Sequence, residues 1–234
     1  MANSDPGALP IEPRRPSVAD QIFDDMQRRI LTLDLPPNTK VSEIEIARQA
    51  NVSRQPVRDA FYRLSEQGFL NIRPQRATLV TQISARAIRE SRFVRTALEL
   101  ETSRIACETF GHEDIAALDW IIEQQEEATV QDDPDRFHEL DDALHAAICN
   151  RGGQGFAWKL IQLQKAHTDR VRYLSLAFAA KEAIDDHKAI VDGIRHHDID
   201  ACHAAVRRHL GRIQGQIAQI RAQHSAYFEP EDTP

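Results

Sequence analysis

Cysteine is scarce. Cys107, Cys149 and Cys202 are the only three in 234 residues, they lie far apart, and they form no C-x-x-C pair. That excludes a disulfide framework and a thiolate zinc site, and reads as a chain of the reducing cytoplasm. Long apolar runs are also missing: none approaches the ~20 residues that a membrane-spanning helix needs. The opening MANSDPGALPIEPRRP lacks the apolar centre of an export signal, and its Pro and Gly point to a disordered lead-in over residues 1–14. The expectation is a soluble cytoplasmic protein with no membrane partner.

What is present can build cores. Hydrophobic residues make up 41% of the chain and charged residues 28%, over a length suited to one large or two modest domains. A net charge of −7 argues against a protein that binds polyanions over its whole surface. The charge is unevenly spread. Residues 1–82 hold 11 of the 29 basic and 10 of the 36 acidic residues, so the excess acid lies in the rest. A near-neutral first part and an acidic second part suggest two units with different partners.

Apolar residues at Val18, Ile22, Met26, Ile30 and Leu33 predict a helix that ends before Pro36–Pro37. In SEIEIARQAN, Ser42 and Glu45 have capping-box spacing, and Ile44, Ile46 and Ala47 supply a short apolar side. Asn51 suits the left-handed position of a tight turn. Ser53 can cap the next helix, where Val57, Ala60, Phe61 and Leu64 form the buried stripe and Gly68 marks the end. Arg54, Gln55 and Arg58 fall at the helix start, off that stripe. FLNIRPQRATLVT offers two strand-like runs, Phe69–Arg73 and Thr78–Thr81, around a polar tip. Arginines on an amphipathic helix are, alone, compatible with a solvated face. Helix, short helix, turn, basic helix and hairpin in this order point instead to a winged helix-turn-helix.

VSRQPVRDAFYRLSEQGFL resembles the helix-turn-helix signature of GntR-family transcriptional regulators, with SEIEIARQA as the preceding helix and the hairpin as the wing. The resemblance implies that Ser53, Arg54, Gln55 and Arg58 contact double-stranded operator DNA. It also puts Gln75 and Arg76 at a wing tip that reaches the minor groove.

From about residue 86 the pattern turns almost wholly helical, and predicts helices over 86–110, 113–130, 134–150, 155–178, 181–196 and 199–225, with a tail over 226–234. Six such helices make an antiparallel bundle, a fold that builds ligand sites between facing helices. Asp141 and His145 stand one turn apart, and His187 and His209 lie in later helices. One carboxylate and three imidazoles suit zinc, nickel, manganese or iron(II). Asp142 is the alternative inward carboxylate, and with ten histidines in the chain each of the three also reads as an ordinary surface or core residue.

The second unit resembles the FCD ligand-binding domain of FadR-type GntR regulators through VRTALELE, LDDALHAA, DHKAIVDGIRHHD and VRRHL. The resemblance implies that Asp141, His145, His187 and His209 bind a divalent metal. It further implies a small carboxylate effector near that metal, with Arg95 and the weaker candidate Arg172 lining its cavity. Arg95 can equally pair with Glu99 one turn on. His138, His196, His197, His203 and Cys149 read as structural or surface residues.

The expected fold class is mainly α: a winged helix-turn-helix over residues 15–82, then an all-α antiparallel bundle over 86–225. The expected function is a homodimeric, ligand-responsive transcription factor on a palindromic operator. A metal-dependent hydrolase built on the Asp/His cluster is the alternative, disfavoured because no general base can be assigned. A third reading keeps the regulator but gives it a metal-free pocket for a larger apolar acid.

Overall fold

An apolar residue every third or fourth position folds Val18–Leu31 into helix α1, closed on its exposed side by an Asp20 carboxylate that accepts from the Ser17 amide at 2.9 Å. The computed structural model describes residues 16–73 and 75–230, and only the backbone of residues 175–179. The lead-in expected over 1–14, Pro74 of the wing tip and the final four residues lie outside the described residues. Two compact units form: one ends at Arg29 and resumes over Thr39–Thr81, and the other holds Ile30–Asn38 and the chain from Gln82 onward.

In the first unit, strand β1 (Lys40–Val41) leads into α2 (Glu43–Gln49) and α3 (Arg54–Glu66), followed by β2 (Leu70–Asn71) and β3 (Thr78–Val80). The hairpin is as the sequence reads, but β1 was not foreseen. It pairs antiparallel with β3 (Lys40 opposite Leu79), making a three-stranded sheet in the order β1-β3-β2. Two residues are too few to show a period, so such a strand leaves no local signature. The turn between α2 and α3 places Asn51 at φ 52°, the left-handed region that its short amide tolerates. Val57, Ala60, Phe61 and Leu64 of α3 are buried, and the unit's interior also holds Phe23, Met26, Phe69 and Val80. Two expectations fail locally. Ser42 occupies the N-cap of α2 but makes no side-chain cap bond, so the capping box does not form. Ile44 is 61% exposed, because a seven-residue helix turns only Ala47 fully inward.

The second unit is a helical bundle of α4 (Ala85–Thr109), α5 (His112–Val130), α6 (Pro134–Arg151), α7 (Gly155–Arg195) and α8 (Ile199–Gln223). Connections of two or three residues join successive helices, and α6, α7 and α8 each pack on the helix before. The fourth and fifth helices expected from sequence are one continuous 41-residue helix, about 60 Å long. The stretch between them, AFAAKEAI, contains strong helix formers and neither Gly nor Pro, so nothing stops propagation. His187 therefore lies well inside α7 instead of at a helix start. Residues from the expected tail return to the bundle: Phe228 is buried with Ile83, Ile88, Val171, Ile213 and Ile220, and the Ile83 amide donates to the Tyr227 carbonyl at 2.7 Å.

α7 and α8 approach closely where Gly193 meets Cys202. A β-carbon on Gly193 would sit 2.8 Å from the backbone nitrogen and Cα of Cys202, which cannot yield as a side-chain tip would. Gly193→Ala is therefore expected to lower stability by about 1–3 kcal/mol through overpacking. Thermal unfolding should show a fall of roughly 3–10 °C. An unchanged melting temperature would contradict the close approach.

Candidate metal centre and nucleic-acid face

On the first unit, α3 begins at Arg54, so its initial residues sit over amides that have no partner within the helix. Ser53 is the N-cap residue, with φ −70° and ψ 166°, and its hydroxyl makes no capping bond. Ser53, Arg54, Gln55 and Arg58 are all exposed. The Glu43 carboxylate of α2 lies 3.2 Å from Arg54 Nη2 and 3.6 Å from Arg58 Nε, so one acid holds both guanidinium groups. Gln55 donates from Nε2 to Asp59 Oδ1 at 2.8 Å. At the wing, Gln75 (φ 57°) and Arg76 are exposed beside the turn.

In the second unit, α6, α7 and α8 bring Asp141, His145, His187 and His209 together, with one ligand atom from each lying within 4.8 Å of the others. Asp141 and His145 share a face because they are one turn apart. His145 Nε2 and His209 Nε2 are 3.2 Å apart, and Asp141 Oδ1 is 3.4 Å from His187 Nε2. Two donors bound to one ion at ~2.1 Å in a tetrahedral arrangement would stand roughly 3.4 Å apart, so this spacing fits a shared cation. Asp142 points elsewhere, to Lys165 Nζ at 3.1 Å.

The supports around these residues orient the ring nitrogens. Gln125 of α5 donates from Nε2 to the Leu140 carbonyl at 3.0 Å, which leaves its Oε1 to accept from His187 Nδ1 at 2.8 Å. The proton of His187 thus resides on Nδ1, and the Nε2 lone pair is turned to the cluster. Glu99 of α4 does the same for His145, with Oε2 2.8 Å from Nδ1. Glu99 is in turn held by Arg95, which donates from Nε at 2.8 Å. Both Gln125 and Glu99 escaped the sequence reading, Glu99 having been seen only as a partner for Arg95.

Charge and burial make the cluster unusual. Asp141 has no solvent exposure, and neither of its oxygens has a partner in hydrogen-bond geometry; the same holds for His187 Nε2 and His209 Nδ1. Burial opposes ionisation of Asp141, but the Arg172 guanidinium at 2.6 Å and the three imidazoles hold its carboxyl well below the usual range. Burial pushes His187 down to about 4, Asp141 only partly offsetting it. Burial and the two neighbouring imidazoles likewise hold His209 well below its ordinary value. Burial also opposes ionisation of Glu99, yet Arg95 and His145 bring it down to about 2. A carboxylate and two neutral imidazoles with free lone pairs are the protonation states that metal ligation requires.

Beside the cluster a cavity holds about 590 Å³ of empty space, its open mouth included, with Asp141, His209, Arg95 and Arg172 in its wall. Arg95 and Arg172 are thus brought to the same cavity, although each is already engaged, with Glu99 and with Asp141 respectively. His138 lines it too, a residue the sequence reading set aside. Among the described residues no helix is long and apolar enough to cross a membrane.

Comparison with known proteins agrees with this layout. Residues 18–80 match the family of bacterial regulatory proteins called gntR, and residues 90–212 match the FCD domain. The chain is 35% identical to the uncharacterized HTH-type transcriptional regulator YdfH of Escherichia coli O6:H1, over 92% of this chain and 96% of that one. It is 34% identical to the HTH-type transcriptional repressor RspR of Escherichia coli K12, over 94% and 97%. In fold it is similar to the solved structure of E. coli McbR/YncC, with a TM-score of 0.72 at 21% identity over 89% and 99% of the two chains. With a helix-turn-helix and wing ahead of an all-α ligand-binding domain, the chain belongs to the gntR family of DNA-binding transcriptional regulators with an FCD domain, and not to a family of enzymes.

Proposed function

We propose that the chain is a homodimeric regulator whose affinity for a palindromic operator is set by a small organic acid bound at a divalent metal in the bundle. The observation that carries this reading is the buried Asp/His cluster beside an open cavity, in which His187 Nε2 and His209 Nδ1 lack hydrogen-bond partners and the Asp141 carboxylate, paired with Arg172, faces the imidazoles. Buried polar atoms in native proteins are otherwise nearly always paired. Asp141, His145, His187 and His209 would hold the ion, and their donor chemistry suits zinc, nickel, manganese or iron(II). When bound, the cation supplies a Lewis-acidic anchor for a carboxylate. Arg95 and Arg172 complete the positive lining.

Operator binding is assigned to residues 15–82 and effector binding to residues 86–225, in the cytoplasm. Ser53, Arg54, Gln55 and Arg58 would meet base edges and phosphates in the major groove, and Gln75 and Arg76 the minor groove. A single winged unit makes too few contacts for tight specific binding, so two copies are required. An apolar stripe on α7 supports pairing: Phe156, Leu160 and Leu163 recur at helical spacing and are exposed, as is Phe93 on α4. Effector binding then shifts the population of DNA-competent dimers.

Arg54→Ala and Arg58→Ala should each weaken binding to an operator selected from a randomised duplex pool by roughly 10- to 100-fold, the worth of one good base contact. Fluorescence anisotropy measures this, and unfolding curves should match the wild type. Full operator affinity in both variants would refute the contact assignment. For the effector, a thermal-shift screen of mono-, di- and tricarboxylates is run with and without prior chelation. One acid should raise the melting temperature with concentration, and chelation should remove the effect. A shift that persists without metal would favour the metal-free pocket instead.

A further inference from the structure

Among the polar groups in the cavity wall outside the metal ligands and their supports, His138 stands out. His138 lies on α6, 8% exposed, and its Nε2 has no hydrogen-bond partner. The ring is held in place. Its centroid is 4.1 Å from that of Tyr173, and it meets the Phe137 ring edge-on at 6.4 Å. Leaving such a nitrogen buried and unpaired is costly, because it has given up water without gaining a partner. In a closed core that would be a defect, but this nitrogen belongs to a residue that lines the same cavity as Asp141, His209, Arg95 and Arg172.

The charge state of His138 limits what it can recognise. Burial, reinforced by the Arg172 guanidinium, pushes its imidazole down to about 3, so the ring is neutral at physiological pH. It adds nothing to the attraction for a carboxylate, which the cations already supply. It offers instead one directed hydrogen bond, as donor or acceptor according to tautomer. A neighbouring group has the same character. Ser91 donates its hydroxyl proton to the Gln164 carbonyl at 2.6 Å, so Thr168 Oγ1, 3.2 Å away, is left to donate to Ser91 and to accept from a ligand. A hydroxyl on the ligand can both give and take a proton, and so satisfies His138 in either tautomer.

We propose that His138 is a specificity-determining residue of the effector pocket, and that the effector is a hydroxycarboxylic acid whose hydroxyl hydrogen-bonds to His138 Nε2. The inference rests on the reading of the cavity as a carboxylate site and narrows it.

The test is calorimetric titration of full-length, metal-loaded protein with matched pairs of acids: malate and succinate, lactate and propionate, 3-hydroxybutyrate and butyrate. In the wild type at least one hydroxy acid should bind about tenfold more tightly than its deoxy partner, the worth of one well-placed hydrogen bond. His138→Phe should reduce that preference to less than about twofold with metal content unchanged. His138→Gln, which keeps a donor and an acceptor, should retain most of it and serves as the readout if the phenylalanine variant does not fold. Deoxy acids binding as tightly as their hydroxy partners in the wild type would overturn the proposal and leave the carboxylate site standing, with the orphan nitrogen satisfied by water alone. A preference that survives His138→Phe would overturn it in the same way. Failure of every acid to bind the metal-loaded wild type would overturn the carboxylate reading itself, and this proposal with it.

Discussion

Asp141 carries a full negative charge at a point with no solvent exposure, and all five helices of the bundle supply either a group that offsets it or a group that orients one. Its own helix supplies His145, α7 supplies Arg172 and His187, and α8 supplies His209. From α5, Gln125 sets the ring of His187, and from α4, Glu99 sets that of His145. Removing a single partner from a buried charge typically costs about 3–5 kcal/mol, because the charge left behind cannot reach water. The apolar residues around it, including Leu140, Leu144, Ile184 and Leu210, would pack as well around a smaller, wholly apolar centre. The polar cluster therefore limits what the bundle gains in stability, which accords with the proposal that it holds a cation.

The winged unit answers the opposite electrostatic problem. Arg54 and Arg58, the arginines proposed to meet DNA, sit on the surface of an acidic chain, each more than half exposed and tied to the same Glu43. Exposed ion pairs of this kind are worth roughly 0–1 kcal/mol, so exchanging the carboxylate for a phosphate or a guanine edge costs little. The net charge of the chain, dominated by the second unit, does not decide what this small face can bind. In the proposed reading, specificity for DNA is confined to the start of one short helix and a wing.

What could be read from sequence divides along the range of the interactions. The stripe of Val57, Phe61 and Leu64 and the Asp141–His145 pair lie within one or two helical turns, so spacing alone reveals them. His187 and His209 are offered as ligands among ten histidines, and it is the family resemblance that favours them over the others, since nothing local marks a residue that meets its partners across a bundle. The supporting Gln125 is 62 residues from His187 and reads as an ordinary polar residue until the helices are in place. His138 was set aside for the same reason: burial against Tyr173 and exposure to a cavity are properties of the packed helices. The missed continuity of α7 is different, because the local propensity did favour helix throughout, and a break was assumed where no breaker exists. The short strand β1 is at the other limit, carrying too few residues to declare itself.

The central proposal is a metal ion held by Asp141, His145, His187 and His209. The most direct measurement is elemental analysis of protein purified without a histidine tag, after exhaustive dialysis, for the wild type and the double variant His145→Ala/His209→Ala. The wild type should retain a single divalent transition-metal ion per chain, and the double variant, checked for helical content by circular dichroism, should retain none. A wild type that emerges metal-free and takes up no zinc, nickel, manganese or iron(II) on addition would contradict the central claim. The cluster would then be a network of buried charge alone.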